Sequence, residues 1–294
     1  MNGQPLPPTE PAGPTSGCPV TLGPTAPAPG CPVTLDTTTP APGSPVPAGP
    51  TGPAPGAAVE FAIAGWSRLS TVDWPGKLAA VLFAQGCPWR CVYCHNADIL
   101  DPRTPGRVPW QEVADFLRRR RGLLDAVVFS GGEPTRQACL AACMEQVRDL
   151  GFAVGMHTGG AYPKRLGQLL DAELVDWVGL DIKALPGDYQ QVVGVPNAGE
   201  RAWESLDLLL AHTAHHPHFD YEVRLTTYPT FPGVEEAVAR ALHTRGVQHF
   251  VLQRARGRSP LSGQNFDLPS WEKDFAQRAQ RVRKTDGLMV QVRS

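Results

Sequence analysis

The fold is decided by the stretch LAAVLFAQGCPWRCVYCHN, which runs from Leu78 to Asn96. It joins an apolar run, typical of a buried β-strand, to a loop that carries three of the seven cysteines, Cys87, Cys91 and Cys94. The loop follows the strand directly. In parallel α/β sheets, ligands bind outside the carboxyl ends of the strands. We therefore expect the chemistry at that end of a parallel sheet.

Downstream of this stretch, apolar strand-like runs alternate with segments of helical period. Strands rich in Val, Ile, Leu and Phe that alternate with helices predict a parallel sheet covered on both faces. A doubly wound sheet would need a G-x-G-x-x-G fingerprint after the first strand, which the sequence lacks. We therefore expect an α/β protein with a partial (β/α)6 TIM-like barrel. The six units pair residues 78–85 with 110–121, 126–130 with 136–150, 152–156 with 163–170, 175–182 with 202–212, 219–226 with 234–245, and 250–253 with 271–283, and residues 288–292 are a further candidate strand.

The first 58 residues differ in composition from the rest of the chain. They hold 17 of the 31 prolines and 9 of the 30 glycines, no aromatic residue, and only two charged residues, Glu10 and Asp36. Such a segment offers too little apolar surface to offset the conformational entropy that ordering would cost. We expect residues 1–58 to be a disordered, low-complexity tail rich in Pro, Gly and Thr, and residues 59–294 to form one domain.

Charge and hydropathy exclude two classes of partner. The chain has 27 basic and 28 acidic residues, so it lacks the excess of positive charge that is typical of nucleic-acid-binding proteins. Its longest unbroken apolar run, residues 78–84, has seven residues, too few to cross a bilayer. The first residues show neither the basic nor the apolar region of a secretory signal. We expect a cytoplasmic protein that binds neither nucleic acid nor membrane.

The crowded cysteines indicate a metal centre before a disulfide, because a reducing compartment keeps thiols free. Three thiolates spaced four and three residues apart can converge on one soft metal centre, and a [4Fe-4S] cluster held by three leaves one iron open to a ligand. The alternative is a structural zinc knot that adds His95, although adjacent residues such as Cys94 and His95 usually project in different directions. Cys139 and Cys143 are four residues apart in a helical segment, and we expect them to pack against the barrel.

The cysteine spacing is C-x3-C-x2-C with an aromatic residue before the last cysteine, and it resembles the hallmark of the radical S-adenosylmethionine (SAM) superfamily. The wider stretch from residue 65 to 96 is similar to activating proteins of anaerobic ribonucleoside-triphosphate reductase, a glycyl-radical-enzyme activase branch near the pyruvate formate-lyase activating enzymes. The resemblance covers about residues 61–256. It implies that Cys87, Cys91 and Cys94 hold a [4Fe-4S] cluster, and that Tyr93 and His95 beside them contact the cofactors.

A glycine-rich turn ends the second strand of the series. Residues 130–134, Ser-Gly-Gly-Glu-Pro, are similar to the GGEP element of the superfamily, which implies that Gly131, Gly132 and Glu133 bind the amino group of SAM. Paired glycines let a backbone approach a ligand closely, and a carboxylate accepts hydrogen bonds from an ammonium. Taken alone, the motif could be only a turn.

Two later strands carry charged residues. Asp181 and Lys183 belong to a segment similar to the superfamily's DIK element, which implies contacts to the ribose and carboxylate of SAM; the alternative is a buried salt bridge between them. Arg224 could face a carboxylate with its bidentate fork, and the alternative is an ion pair with Glu222 on the same strand. Residues 157–160 depart from the family pattern, and His157 can equally be a hydrogen-bonded strand-end histidine.

The resemblance also implies a reaction. An electron donor such as flavodoxin or ferredoxin reduces the cluster, SAM is cleaved to methionine and a 5′-deoxyadenosyl radical, and the radical takes hydrogen from a glycine of a partner enzyme, here an anaerobic ribonucleotide reductase. No catalytic side chain beyond the cluster and SAM is expected. Two alternatives remain open: a radical SAM enzyme that acts on a small molecule or another peptide, and a non-catalytic zinc or iron–sulfur binding module.

Overall fold

The computed structural model describes residues 61–230, 234–285 and 288–293. In them, eight strands and seven α-helices mostly alternate along the chain. The strands are β1 (Ile63–Ser70), β2 (Ala79–Ala84), β3 (Ala126–Gly131), β4 (Ala153–Thr158), β5 (Trp177–Asp181), β6 (Asp220–Thr227), β7 (His249–Arg254) and β8 (Met289–Arg293). The helices are α1 (Trp110–Arg120), α2 (Leu140–Asp149), α3 (Pro163–Asp171), α4 (Tyr189–Val193), α5 (Ala198–His215), α6 (Val234–Thr244) and α7 (Pro269–Val282). The expected tail lies outside the described residues.

All eight strands belong to one sheet, in the order of the sequence. Strand β1 pairs antiparallel with β2, and every later pair, from β2–β3 to β7–β8, is parallel. Among the described strands, β1 and β8 are the two ends of the sheet and do not pair with each other, so the barrel is not closed. The α/β class and the partial barrel expected from the sequence are confirmed.

The six strand–helix units and the additional last strand all occur, with shifted boundaries. Helix α2 begins at Leu140 because residues Pro134–Arg136 form a 3-10 turn that the side chain of Glu133 caps. Two elements were not expected from the sequence: the strand β1 and the five-residue helix α4. Strand β1 is mostly half-buried or exposed beyond its first two residues and contains a glycine, so its alternation is weak. Its partner β2 stabilises it.

The interior of the barrel is filled from its amino-terminal end. Trp74, in the β1–β2 loop, stacks on Trp177 of β5 with the ring centroids 5.5 Å apart. It packs with alternate residues of β2 and β3 in a small core of its own. Gly155 of β4 makes this possible, since a Cβ at that position would lie 2.7 Å from the Trp74 ring. The tryptophan pair thus fills part of the barrel interior below the carboxyl ends of the strands.

Of the helices described, none combines the length and the apolar character needed to cross a membrane. The two helical cysteines, Cys139 and Cys143, are buried in the main hydrophobic core, as expected.

Candidate functional site

A cavity of about 490 Å³ opens at the carboxyl ends of the strands, above the tryptophan pair. Its wall contains residues of the β1–β2 loop and of the ends of the six strands β3 to β8. It also contains residues of the loop after β2 that carries Cys87, Cys91 and Cys94, which we call the cysteine loop. Every site residue named from the sequence lies in this wall: Cys87, Cys91, Tyr93, Cys94, His95, Gly131, Gly132, Glu133, Asp181, Lys183 and Arg224. Residues separated by more than a hundred positions thus share one site.

The cysteine loop is fixed by backbone hydrogen bonds on both sides. Gly86 and Cys87 donate their amides to the carbonyls of Ile99 and Leu100, at 2.7 and 3.1 Å. On the opposite side, the amides of Arg90 and Val92 donate to the carbonyls of residues 193 and 192 in helix α4, each at 3.0 Å. The short helix missed from the sequence therefore positions the loop between its first and last cysteine.

The three thiols of the loop are partly buried and carry no disulfide. Burial raises the pKa of all three, that of Cys91 to about 11. Against this effect, the backbone amides of Trp89 and Asn96 lower the pKa of Cys87 and Cys94 by hydrogen bonding to their sulfurs. Because only thiolates ligate metals, loading of the site must release protons.

The donor set fits a [4Fe-4S] cluster better than a single ion. Among the described residues, no three His, Cys, Asp or Glu side chains lie close enough together to hold one metal ion. Three thiols in one cavity wall suit a cluster, because each would ligate a different iron and such ligands stand farther apart than those of one tetrahedral zinc. The ring of His95, the fourth ligand in the zinc alternative, lies against Gly257, where a Cβ would come within 3.3 Å of Nδ1.

The glycine pair at the end of β3 is pressed against the start of the cysteine loop. A Cβ on Gly132 would lie 2.3 Å from the carbonyl oxygen of Gly86, and one on Gly131 would lie 2.5 Å from the nitrogen of Ala84. Gly131 also has a φ of +99°, which other residues rarely adopt. The motif is thus required for the strand end and the loop to meet, in addition to any ligand contact.

The carboxylate of Glu133 holds the ends of β3 and β4 together. It is 1% exposed and accepts hydrogen bonds from the hydroxyls of Thr135 and Thr158 at 2.6 and 2.7 Å and from the amide of Gly159 at 2.9 Å. Burial raises its pKa, although these donors act in the opposite direction. An ammonium ligand would have to share the carboxylate with donors already in place.

Five charged side chains form an alternating chain across β5, β6 and β8, which we call the charge chain. Lys183 Nζ lies 3.3 Å from Asp181 Oδ2, and Arg224 Nε donates to Asp181 Oδ1 at 2.9 Å. Arg224 Nη1 is 3.7 Å from Glu222 Oε1, and Arg293 holds both oxygens of Glu222 at 2.7 and 2.6 Å. Both salt bridges that the sequence offered as alternatives are therefore present, in the wall of the cavity.

Within the charge chain, Asp181 and Lys183 are both ionised at neutral pH. Burial would raise the pKa of Asp181, but Arg224 and Lys183 outweigh it and hold that pKa at about 2. Burial would likewise lower the pKa of Lys183, and Asp181 instead raises it well above its usual value. The cavity thus presents fixed positive and negative charges side by side.

The wall also contains residues that were not assigned to a site from the sequence, among them Arg293 and Trp89. Arg293 comes from the last strand, far from any motif. Trp89 lies between the first two cysteines, is 2% exposed and packs on Gly159, where a Cβ would be 2.4 Å from its ring. Their wall positions follow from tertiary packing, which no local pattern encodes.

His157 is the hydrogen-bonded strand-end histidine that the sequence allowed. Its Nε2 donates to the carbonyl of Asp73 at 2.7 Å, and its Nδ1 accepts from the hydroxyl of Ser130 at 3.1 Å. Burial, with the nearby cation of Arg224, lowers its pKa to about 3, so the ring is neutral. It ties the β1–β2 loop to β3 and β4 beneath the cavity.

Comparison with known proteins places this site in a family. The sequence profile of the radical SAM superfamily matches residues 81–243. The Methanocaldococcus jannaschii protein MJ1227, assigned as a glycyl-radical enzyme activating enzyme, is 34% identical over 142 residues, covering 47% of this chain and 57% of its own length. Pyruvate formate-lyase 1-activating enzyme of Escherichia coli K12 is 34% identical over 140 residues, covering 43% and 54%. The chain thus spans about half the length of these curated relatives.

Solved structures show the same fold at low sequence identity. Streptococcus suis SuiB bound to S-adenosylmethionine superimposes with a TM-score of 0.54 at 11% identity, over 71% of this chain and 48% of SuiB. SuiB bound to its precursor peptide SuiA gives a TM-score of 0.55 at 12% identity, over 72% and 47%. The fold is shared with these structures.

Proposed function

This chain belongs to the radical SAM superfamily, whose members use a [4Fe-4S] cluster and SAM, and from that premise we propose that it activates a glycyl-radical enzyme. The carrying observation is the 34% identity to two activating enzymes, together with a superfamily profile match over residues 81–243 that includes the cysteine loop. We propose residues 59–294 as the catalytic domain.

The cysteine loop is the proposed cluster ligand set, with Cys87, Cys91 and Cys94 each holding one iron. No fourth cysteine occurs among the described residues of the cavity wall, so one iron would stay open towards the cavity. When bound, the cluster and SAM supply a 5′-deoxyadenosyl radical that abstracts hydrogen. The protein supplies the ligands, the fixed geometry and the exclusion of water.

The rest of the wall is the proposed SAM site. Gly131 and Gly132 bring backbone close to the cavity, and Glu133 fixes them against β4. Asp181 offers a carboxylate that is ionised at neutral pH, suited to hydroxyl donors such as those of a ribose, whereas Lys183 and Arg224 offer cations for a carboxylate. Tyr93, His95 and Trp89 complete the wall with aromatic surface.

The proposed partner is an anaerobic ribonucleotide reductase, as the resemblance of residues 65–96 implies. The proposed reductant is a low-potential donor such as flavodoxin or ferredoxin. A glycine of the partner would enter through the open side of the barrel, between β1 and β8.

The test is an anaerobic assay of the full chain after reconstitution with iron and sulfide. Dithionite and SAM are added, 5′-deoxyadenosine is quantified, and Cys91→Ala is the control. The reductase, or in a parallel sample pyruvate formate-lyase, is then added, and the glycyl radical is recorded by electron paramagnetic resonance (EPR).

About four irons per chain and deoxyadenosine that disappears in Cys91→Ala are expected, together with a glycyl radical on the reductase. Deoxyadenosine without a radical on either enzyme would reject glycyl-radical activation in favour of a small-molecule or peptide substrate. About one zinc per chain with no SAM cleavage would reject the radical chemistry altogether.

A further inference from the structure

Lys183 lies at the end of the charge chain that faces the cysteine loop. Its side chain is 9% exposed, and its ammonium is 3.3 Å from Asp181 Oδ2. On its other side, the ammonium lies 5.7 Å from the centroid of the ring of Tyr93, the residue before Cys94. It shares the cavity wall with all three cysteines.

The counter-charge that Lys183 receives from the charge chain is incomplete. The carboxylate of Asp181 also serves Arg224, whose Nε is closer, at 2.9 Å. Glu222 is held at both oxygens by Arg293. Within the charge chain, three cations therefore face two carboxylates. A buried cation with a shared counter-ion is stabilised by any further anion nearby.

The proposed cluster is such an anion. A [4Fe-4S] cluster bound by three thiolates carries a negative net charge, and one-electron reduction adds another negative charge. A fixed cation close to it favours the reduced form, because the attraction grows with the charge of the cluster. Burial raises the pKa of the three thiols, and the ammonium of Lys183 acts in the opposite direction on each.

We propose that Lys183 is an electrostatic partner of the cysteine-bound cluster, which stabilises its reduced form and raises its reduction potential before SAM binds. The inference rests on the cluster assigned in the proposed function. It is distinct from the contact to SAM that the DIK resemblance implies, because that contact has no effect on the cluster when SAM is absent.

The test is a redox titration of the full-length, reconstituted protein without SAM, in which the EPR signal of the reduced cluster is measured at each potential. Lys183→Met removes the cation and Lys183→Arg retains it. Asp181→Asn removes the competing carboxylate and should act in the opposite direction. Lys164→Met, at an exposed position of α3, removes a positive charge outside the cavity.

Lys183→Met is expected to lower the ratio of reduced to oxidised cluster about tenfold at a given potential, a shift of about 59 mV for one electron. Lys183→Arg and Lys164→Met should match wild type, and Asp181→Asn should shift the potential upwards. Equal potentials in wild type and Lys183→Met, with iron content unchanged, would overturn the inference.

If Lys183→Met does not retain the cluster, the reduction potential of Asp181→Asn is decisive. A potential equal to or lower than that of wild type would contradict the proposed electrostatic effect. A wild-type protein that binds no iron would instead refute the proposed function.

Discussion

At the scale of single residues, His157 links the site to the pH dependence of stability. The folded protein keeps this ring neutral with a pKa of about 3, whereas an unfolded histidine titrates near about 6.5. Between these values the unfolded state binds one more proton, so the free energy of unfolding falls as the pH falls, by at most about 1.4 kcal/mol per pH unit.

His157→Asn is therefore expected to flatten that dependence. The difference in unfolding free energy between pH 7 and pH 5 should shrink by about 2 kcal/mol relative to wild type. Urea denaturation of the cluster-free protein at the two pH values measures it. The exposed His218, replaced in the same way, is the matched control. An unchanged difference in His157→Asn would contradict the buried, neutral ring.

Gly132 gives a steric prediction. An alanine there would place its Cβ against the backbone oxygen of Gly86, which can move only with the cysteine loop. We expect Gly132→Ala to lower the free energy of unfolding by about 1–3 kcal/mol and to reduce iron binding. Gly65→Ala, where the added Cβ meets nothing within 4 Å, is the control. Equal stability of the two variants would refute this packing.

The cysteine spacing predicted a metal centre, and the residues of the other short motifs were predicted from their resemblance to elements of the radical SAM superfamily. The cysteines, the glycine pair and the Asp181–Lys183 pair all lie in the cavity wall. What the sequence did not show is how far Glu133 is already engaged by Thr158 and Gly159. Such contacts arise when separate strand ends meet, and no local pattern specifies them.

At the scale of elements, one ion pair links the last strand to β6. Arg293 of β8 reaches across β7 to Glu222 of β6, whose side chain is 7% exposed. Arg293→Met leaves that carboxylate with only Arg224 at 3.7 Å. We expect the amides of β8 to exchange with solvent at least about tenfold faster, while those of β6 stay protected.

Hydrogen exchange resolved by mass spectrometry measures this effect. Met289→Ala changes an exposed side chain of the same strand and should leave the exchange of β8 near wild type. Faster exchange of the whole sheet in Arg293→Met would mean that the pair stabilises the domain as a unit and not β8 in particular.

The regular alternation of elements was predictable because buried parallel strands are continuous apolar runs, whereas amphipathic helices have a period of about 3.6 residues. The exceptions have physical causes. Strand β1 has weak alternation and is held by its antiparallel register with β2. Helix α4 has five residues, too few for a periodic signal, and is stabilised by the cysteine loop that it contacts.

At the scale of the whole molecule, the division of the chain can be tested. We expect residues 59–294 without the first 58 to bind iron and to cleave SAM as the full chain does, because every proposed cluster and SAM ligand lies after residue 58. Iron content and deoxyadenosine yield of the two proteins are compared. Loss of the cluster in the shorter protein would contradict a single catalytic domain.

The gap between β1 and β8, the two unpaired edge strands of the described sheet, limits the size of a molecule that can enter the barrel from its side. Neighbouring strands lie about 4.8 Å apart, so each strand gained or lost at the β8 edge would change the width of the gap in steps of that size. The proposed cluster ligands lie in the loop after β2, whereas β8 contributes Arg293 to the cavity wall. The width of the opening can therefore change while the cysteine loop stays the same. The same proposed reaction centre could then admit a small metabolite or a loop of a folded protein.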